Sequence, residues 1–194
     1  MNMNQSHEEL AALLAEDVDG SFEQLMLAYQ HQLYAFALRQ LGNQHDAQDI
    51  VQEAFLRAYH ALKSYPEQRI RALQLRQWLY KITLNVLRNS VRKSGPAPVA
   101  LDLSEESLAL ALEDEGADPE AEIDWREWRQ ELAALLATLP EPYRAAIDLH
   151  YFEDLSYSDI ASLLNQPPGT VKSNVSRGLR LLRKALGASA REAR

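Results

Sequence analysis

The chain has 194 residues, of which 46% are hydrophobic and none is cysteine, and its formal net charge is −8. This apolar content is ordinary for a folded protein, and the lack of cysteine excludes disulfides, thiolate nucleophiles and cysteine zinc sites. No stretch approaches the roughly 18 apolar residues of a membrane span, and the first residues do not resemble a signal peptide. We therefore expect a cytoplasmic protein with no membrane insertion.

The negative charge is confined to the middle of the chain. Residues 1–93 hold 10 acidic and 10 basic side chains, residues 94–124 hold 10 acidic and no basic ones, and residues 125–194 hold 8 acidic and 10 basic ones. The middle thus contributes −10 and the two flanks together +2. Two basic tracts, 69–93 and 165–191, contain no acidic residue. This pattern predicts two contacts with nucleic acid, separated by a segment that avoids it.

Three amphipathic helices are predicted in the first half of the chain, at about 22–41, 46–62 and 73–92, because apolar residues recur there with helical spacing. Gly42 and Asn43 end the first helix, and Pro66 marks a polar loop before the third. Trp78 and Leu79 are expected mainly in the core. No segment reads as a strand, so we predict a helical bundle.

The second and third helices each carry a polar face. The face of the second helix is acidic with one leucine, which suits a protein interface but also a plain solvated surface. It consists of Asp46, Asp49, Gln52, Glu53 and Leu56. The face of the third helix is mostly cationic, and consists of Gln77, Lys81, Asn85, Arg88 and Arg92.

Residues 94–124 form an acidic stretch punctuated by Gly, Pro and Ala. This composition is typical of a flexible linker, which would be a solvated tether without a further role. The spacing of its leucines also allows a short helix around Leu103–Leu112.

The last third of the chain predicts two helices joined by a tight turn. Ser156 and Asp159 form an acidic variant of a capping box, Leu155 can staple to Ile160, and Pro167–Gly169 break the first helix. The second helix has an apolar stripe at Val171, Val175, Leu179, Leu182 and Leu186. Its other side is basic and rich in hydroxyls. A helix-turn-helix that inserts its second helix into a DNA major groove fits this pattern, as would a helical hairpin with a solvated basic face.

Three strings of residues, in this order, resemble the bacterial extracytoplasmic-function (ECF) sigma factors that contain only regions 2 and 4. DAQDIVQEAFLRAY resembles region 2.2, and RQWLYKITLNVLRNSVRK resembles the helix that melts the promoter −10 element. LPEPYRAAIDLHYFEDLSYSDIASLLNQPPGTVKSNVSRGLRLLR resembles region 4. The resemblance implies region 2 at 20–93, the acidic linker at 94–124 and region 4 at 125–187. The fold class it implies is all-α, with two small helical domains joined by that flexible linker.

The family resemblance also implies a function and residue roles. The chain would be an alternative sigma factor that binds core RNA polymerase, recognises the −35 and −10 elements, melts the −10 region and directs transcription initiation. The acidic face, Asp46, Asp49, Gln52, Glu53 and Leu56, would bind core polymerase. The −10 contacts would be Tyr80, Lys81, Thr83, Leu84, Asn85, Arg88, Arg92 and Lys93, together with the 63–74 loop. The −35 contacts would be Gly169, Thr170, Lys172, Ser173, Asn174, Ser176 and Arg177.

These roles have a physical basis in the residue types. An aromatic ring such as that of Tyr80 can stack on an unpaired base, and the amide of Asn85 can read a base edge. Arg88, Arg92 and Lys93 suit phosphates, and the helix start at Gly169 suits a phosphate as well. Asn174 departs from the family, in which arginine is frequent at that position.

The expected partners are core RNA polymerase, promoter DNA and an anti-sigma factor, which the family usually has; no cofactor or metal is expected. An enzyme is disfavoured because the five histidines form no paired ligand motif and no glycine-rich phosphate loop follows a strand. A response-regulator-type activator would end in a similar helix-turn-helix. It would need an α/β domain upstream, and the helical first half argues against this.

Overall fold

A computed structural model describes residues 3–94 and 135–192, and within them the side chains of residues 7–92 and 135–185. Every element with defined bounds in these ranges is a helix, so the predicted all-α class is confirmed. These helices are α1 (Met3–Glu16), α2 (Val18–Leu41), α3 (Gln44–Ser64), α4 (Glu67–Arg71), α5 (Leu75–Ser94), α6 (Glu141–Tyr151), α7 (Tyr157–Leu164) and α8 (Pro168–Glu192). The helix predicted around Leu103–Leu112 lies outside the described residues. None of the described helices is long and apolar enough to cross a membrane.

The chain divides into two compact units. The first contains α1, α2 up to Ala37, and α3 to α5, whereas the second contains the Leu38–Gln44 segment and α6 to α8. The three long helices predicted for the first half are all present. Two helices of the first half, α1 and the short α4, were not predicted, and α4 lies inside the segment expected to be a loop.

Aromatic pairs join the long helices of the first unit. Phe22 of α2 lies edge to face with Tyr59 of α3, with ring centroids 5.1 Å apart. Phe36, also of α2, lies edge to face with Tyr80 of α5 at 5.2 Å. Edge-to-face geometry is the favoured arrangement of such rings and adds to the stability from apolar burial. Helix α1 packs against α4 and α5, and its Leu14 is fully buried.

The second unit is a small helical core in which α8 packs on α6 and α7. Its buried cluster consists of Leu136, Leu139, Ile147 and Leu182. Gly178 allows α8 to approach α6, because a Cβ atom at this position would stand only 2.5 Å from Cδ1 of Ile147. The side of α8 that faces away from α6 is exposed to solvent.

The ends of α7 follow from local side-chain chemistry. Ser156 and Asp159 form the predicted capping box, in which each side chain accepts from the other residue's backbone N–H. Asn165 ends α7 in the left-handed region, at a φ of 55°. Pro168 opens α8, where a missing N–H has no cost. The predicted break between the two helices is present, and Pro168 and Gly169 are also the first residues of α8.

A buried ionic network lies inside the second unit, and nothing in the sequence pattern indicated it. Nε of Arg39 donates to Oδ1 of Asp148 at 2.7 Å, and Nη2 of the same guanidinium donates to Oε1 of Glu153 at 2.5 Å. Nε2 of Gln40 donates to Oδ2 of Asp148 at 2.6 Å. The Arg39 guanidinium thus donates hydrogen bonds to both buried carboxylates. Burial raises the pKa of Asp148 to about 6, although the neighbouring Arg39 acts in the opposite direction.

Candidate nucleic-acid interface

Helices α7 and α8 present the start of α8 to solvent. Val171 and Val175 are buried towards the core, and successive residues of a helix are rotated by 100°, so the two residues that follow Val171 point away from it. The predicted −35 residues Gly169, Thr170, Lys172, Ser176 and Arg177 are all exposed, and Ser173 is half-buried. The structure therefore brings six of the seven together at the surface of one helix.

Asn174 is the exception, and its expected exposure is wrong. It follows Val171 by three residues and precedes Val175, so it lies on the inner side of α8 and is only 8% exposed. Its Nδ2 atom donates to Oε1 of Gln166 at 3.4 Å. Asn174 thus links α8 to the turn before it, which explains why an amide is accommodated at this position.

The first turn of α8 leaves one backbone amide open. The N–H groups of Thr170 and Val171 both donate to the carbonyl of Pro167, and Pro168 has no N–H. The amide of Gly169 has no partner in the described ranges, and no heavy atom lies within 4 Å of the place where its Cβ would stand. An open amide at a helix N-terminus suits an anionic oxygen.

The positive charge of α8 extends beyond the predicted −35 group. Arg180, Arg183 and Lys184 are exposed along the following turns, and α8 contains no acidic residue before Glu192. At the helix start, Nζ of Lys172 lies 5.6 Å from the centroid of the Tyr157 ring, which stacks on His150. The result is a continuous cationic surface along the exposed side of α8.

Helix α5 carries a second cationic surface. Lys81, Asn85, Arg88 and Arg92 are exposed at spacings of four, three and four residues, which places them on one face. The side chain of Lys93 lies outside the described residues.

Three other predicted −10 residues are buried, so the expectation that they face DNA is wrong. Tyr80 and Thr83 are fully buried, and Leu84 is 3% exposed. Tyr80 packs on Phe36, and Oγ1 of Thr83 donates to the Leu79 carbonyl at 2.9 Å. Together with Leu87 these three residues form a second buried stripe at helical spacing. Helix α5 is therefore buried on a wider side than expected, and Trp78, which was expected mainly in the core, is only half-buried.

The 63–74 segment contains an aromatic and cationic cluster that sequence reasoning did not identify. The guanidinium of Arg69 lies 3.6 Å from the centroid of the Tyr65 ring, and the Tyr65 ring lies 6.3 Å from that of Trp78. Both rings are half-buried. Arg69 lies in α4, which was not predicted, and Tyr65 precedes that helix, so residue spacing did not indicate this contact.

The acidic face of α3 is present as predicted. Asp46, Asp49, Gln52 and Leu56 are exposed, and Leu56 retains 52% exposure, which is high for a large apolar side chain. Glu53 is half-buried and accepts from Nε of Arg57 at 2.6 Å. Because that ion pair is largely solvated, it adds little to stability and offsets only part of the negative charge of this face.

Comparisons with known proteins agree with this arrangement. The Sigma-70 region 2 family matches residues 25–96, and the Sigma-70, region 4 family matches residues 129–182. The ECF RNA polymerase sigma factor SigW of Bacillus subtilis is 35% identical over 173 residues, which cover 86% of this chain and 89% of SigW. The RNA polymerase sigma-H factor of Pseudomonas aeruginosa is 35% identical over 177 residues, which cover 89% of this chain and 90% of that protein.

Two solved structures share the fold. CnrH in complex with the cytosolic domain of CnrY has a TM-score of 0.63 and 24% identity, covering 94% of this chain and 97% of CnrH. The sigma factor RpoE of Bartonella quintana, in complex with the anti-sigma factor NepR, has a TM-score of 0.65 and 24% identity, covering 86% of this chain and 96% of RpoE.

The two family matches cover both helical units, and the curated relatives are matched over most of their length. The chain therefore belongs to the ECF family of RNA polymerase sigma factors, which are not enzymes but initiation factors that bind core RNA polymerase and direct transcription from promoters.

Proposed function

We propose that the chain recognises a promoter through two separate cationic surfaces and melts the −10 element on the first of them. The observation that carries this proposal is the presence of two exposed cationic helix faces, one on α5 and one on α8, in a chain whose net charge is −8. Clustered cations attract DNA phosphates whatever the overall charge.

The first turns of α8 are the proposed recognition site for the −35 element. Lys172, Ser176 and Arg177 would enter the major groove, because their side chains are exposed on a helix whose other side is buried. The open amide of Gly169 would meet a phosphate, and Thr170 and Ser173 would flank the contact. Asn174 acts indirectly, by fixing the preceding turn through Gln166.

The α5 face is the proposed −10 surface. Lys81, Arg88 and Arg92 would contact the backbone of the separated strand, and Asn85 would read a base edge. The half-buried Tyr65 and Trp78 are better stacking candidates for turned-out bases than Tyr80, since Tyr80 has no exposed surface. Arg69 adds a cation beside Tyr65.

The acidic face of α3 is the proposed contact with core polymerase. An exposed leucine surrounded by carboxylates gives both apolar area and charge complementarity for a basic protein partner. We also expect regulation by an anti-sigma factor, because RpoE was solved with the anti-sigma factor NepR. The site of action would be the cytoplasm, where polymerase and promoter meet.

Run-off transcription tests the proposal. Purified chain is added to core RNA polymerase with a template whose promoter was enriched from a randomised DNA pool by the reconstituted holoenzyme. We expect specific initiation that core polymerase alone does not give. A chain that bound DNA but conferred no initiation would act as an ordinary DNA-binding regulator, and the proposal would be wrong.

A further inference from the structure

The side chain of Lys172 lies over an aromatic ring near the start of α8. Its Nζ atom is 5.6 Å from the centroid of the Tyr157 ring. This distance is inside the limit of about 6 Å at which an ammonium is attracted by the negative face of an aromatic ring. Within the described part of the chain, Lys172 forms no ion pair with a carboxylate. The Lys172 ammonium is therefore attracted by the neutral Tyr157 ring and not by a carboxylate.

The Tyr157 ring is itself fixed by a neighbouring helix. The ring of His150, near the end of α6, stacks on it with centroids 4.3 Å apart and an interplanar angle of 28°. Nδ1 of His150 lies 3.0 Å from the Leu155 carbonyl oxygen. Since a carbonyl only accepts, Nδ1 carries the proton and donates to it. The Tyr157 ring thus contacts both His150 of α6 and Lys172 of α8.

A carboxylate could also order a lysine side chain, but it would compensate the charge that a DNA contact needs. An aromatic face orders the ammonium and leaves its charge and its three N–H donors available. Lysine has a large rotamer entropy to lose on binding, so order imposed beforehand improves affinity.

We infer that Tyr157 is a positioning residue for −35 recognition, whose ring, fixed by His150, holds the Lys172 ammonium ready for DNA. The inference rests on the proposed contact of Lys172 with DNA. It concerns the free protein as well as the complex, since the contact exists before DNA is bound.

A double-mutant cycle in the holoenzyme tests the coupling. The variants are Tyr157→Leu, Tyr157→Phe, Lys172→Ala and Tyr157→Leu with Lys172→Ala. The probe is a fluorescein-labelled duplex with the −35 sequence that wild-type holoenzyme enriches from a randomised pool. A cation–π pair at an exposed site corresponds to about a two- to fivefold change in affinity. We expect Tyr157→Leu to weaken binding by that factor, Tyr157→Phe to bind like wild type, and Tyr157→Leu to add nothing in the Lys172→Ala background.

A second measurement does not depend on DNA. In the NMR spectrum of the free full-length chain, the ε-methylene protons of Lys172 should be shifted upfield by the ring current of Tyr157. The shift should persist in Tyr157→Phe and disappear in Tyr157→Leu. An unshifted Lys172 signal in the wild-type protein would overturn the inference, whether or not Tyr157→Leu folds.

The outcomes separate this inference from the function on which it rests. If Lys172→Ala binds the duplex as well as wild type, the proposed DNA contact of Lys172 fails. If Lys172→Ala weakens binding but Tyr157→Leu weakens it equally in both backgrounds, the contact stands and the positioning role fails. Circular dichroism of each variant shows whether the helices are retained.

Discussion

The ring of Phe36 meets the ring of Tyr80 edge to face, with centroids 5.2 Å apart and an interplanar angle of 88°. Both side chains are fully buried. Tyr80 is therefore part of the contact between α2 and α5, and cannot stack on a promoter base without leaving the core. The effect of changing it should be on stability.

Tyr80→Ala should destabilise the chain by about 3–5 kcal/mol, the cost typical of removing a buried aromatic ring and leaving a cavity. Tyr80→Phe keeps the ring and the edge-to-face contact, so its cost should be much smaller. Urea denaturation followed by circular dichroism gives both values. Equal, small losses in the two variants would show that the ring does not pack in the core.

Asn85→Ala should impair promoter opening without unfolding the chain, because Asn85 is exposed on the cationic face of α5. The variant should join core polymerase and bind the −35 element as wild type does. Permanganate reactivity of thymines in the −10 region measures the opening, and a pre-melted template should partly rescue the variant. Gln32→Ala, an exposed amide on α2, is the matched control. Full opening by Asn85→Ala would move the melting role to the Tyr65 and Trp78 cluster.

The sequence predicted the long helices and, apart from Asn174, the exposed groups of α3 and α8, because each of these two helices shows an apolar stripe with polar residues opposite. It failed on α5, where Tyr80, Thr83 and Leu84 complete a second buried stripe. A tyrosine or threonine at a helical position is compatible with either environment, and only packing against α1 and α2 decides. The ionic network of Arg39, Asp148 and Glu153 could not be predicted for a related reason: Arg39 is more than 100 residues from both carboxylates in sequence.

Reversing charge on the acidic face of α3 should weaken binding to core polymerase. Asp49→Lys with Glu53→Lys exchanges two carboxylates for two ammonium groups, and like charges facing each other at an interface cost several kcal/mol. The lost pair between Glu53 and Arg57 is exposed, so stability should change by only about 0.5 kcal/mol. Fluorescence titration with labelled core polymerase measures the affinity.

The matched control for this variant is Glu8→Lys with Glu9→Lys on α1. Both carboxylates are exposed, and the change in net charge is the same. If the two double variants bind core polymerase equally, the effect is one of overall charge and the α3 face is not the contact.

Arg177→Ala should reduce promoter binding, since Arg177 is exposed on the side of α8 that we propose to face DNA. A bidentate contact with guanine would make the loss about 1–3 kcal/mol and relax the preference at one base position. A contact with phosphate would weaken all sequences alike and flatten the salt dependence. Arg183→Ala removes the same charge from an exposed position later in α8 and serves as the control. Equal binding by wild type and both variants would mean that this surface is only solvated.

The stability of the chain should depend on pH through Asp148. Its pKa is raised from 3.8 to about 6 by burial, so between these values the folded chain holds a proton that the unfolded chain releases. Stability from this group is therefore fully present below about pH 4 and is lost as the pH rises through about 6. Burial is the main cause of this shift, and the nearby Glu153 carboxylate adds to it, whereas Arg39 and Gln40 favour the ionised form.

Asp148→Asn should remove this dependence and leave Arg39 paired with Glu153. As the pH rises from about 5 to about 7.5, wild type loses the stability that a neutral Asp148 contributes, whereas the variant has no such loss. The free energy of unfolding of the variant, relative to that of wild type, should therefore increase over this range. Urea denaturation at the two pH values measures the difference. Asp154→Asn neutralises an exposed carboxyl in the same unit and serves as the control for the change in charge. Parallel profiles for Asp148→Asn and wild type would instead show that Asp148 stays ionised throughout, with Arg39 and Gln40 sufficient to stabilise its charge.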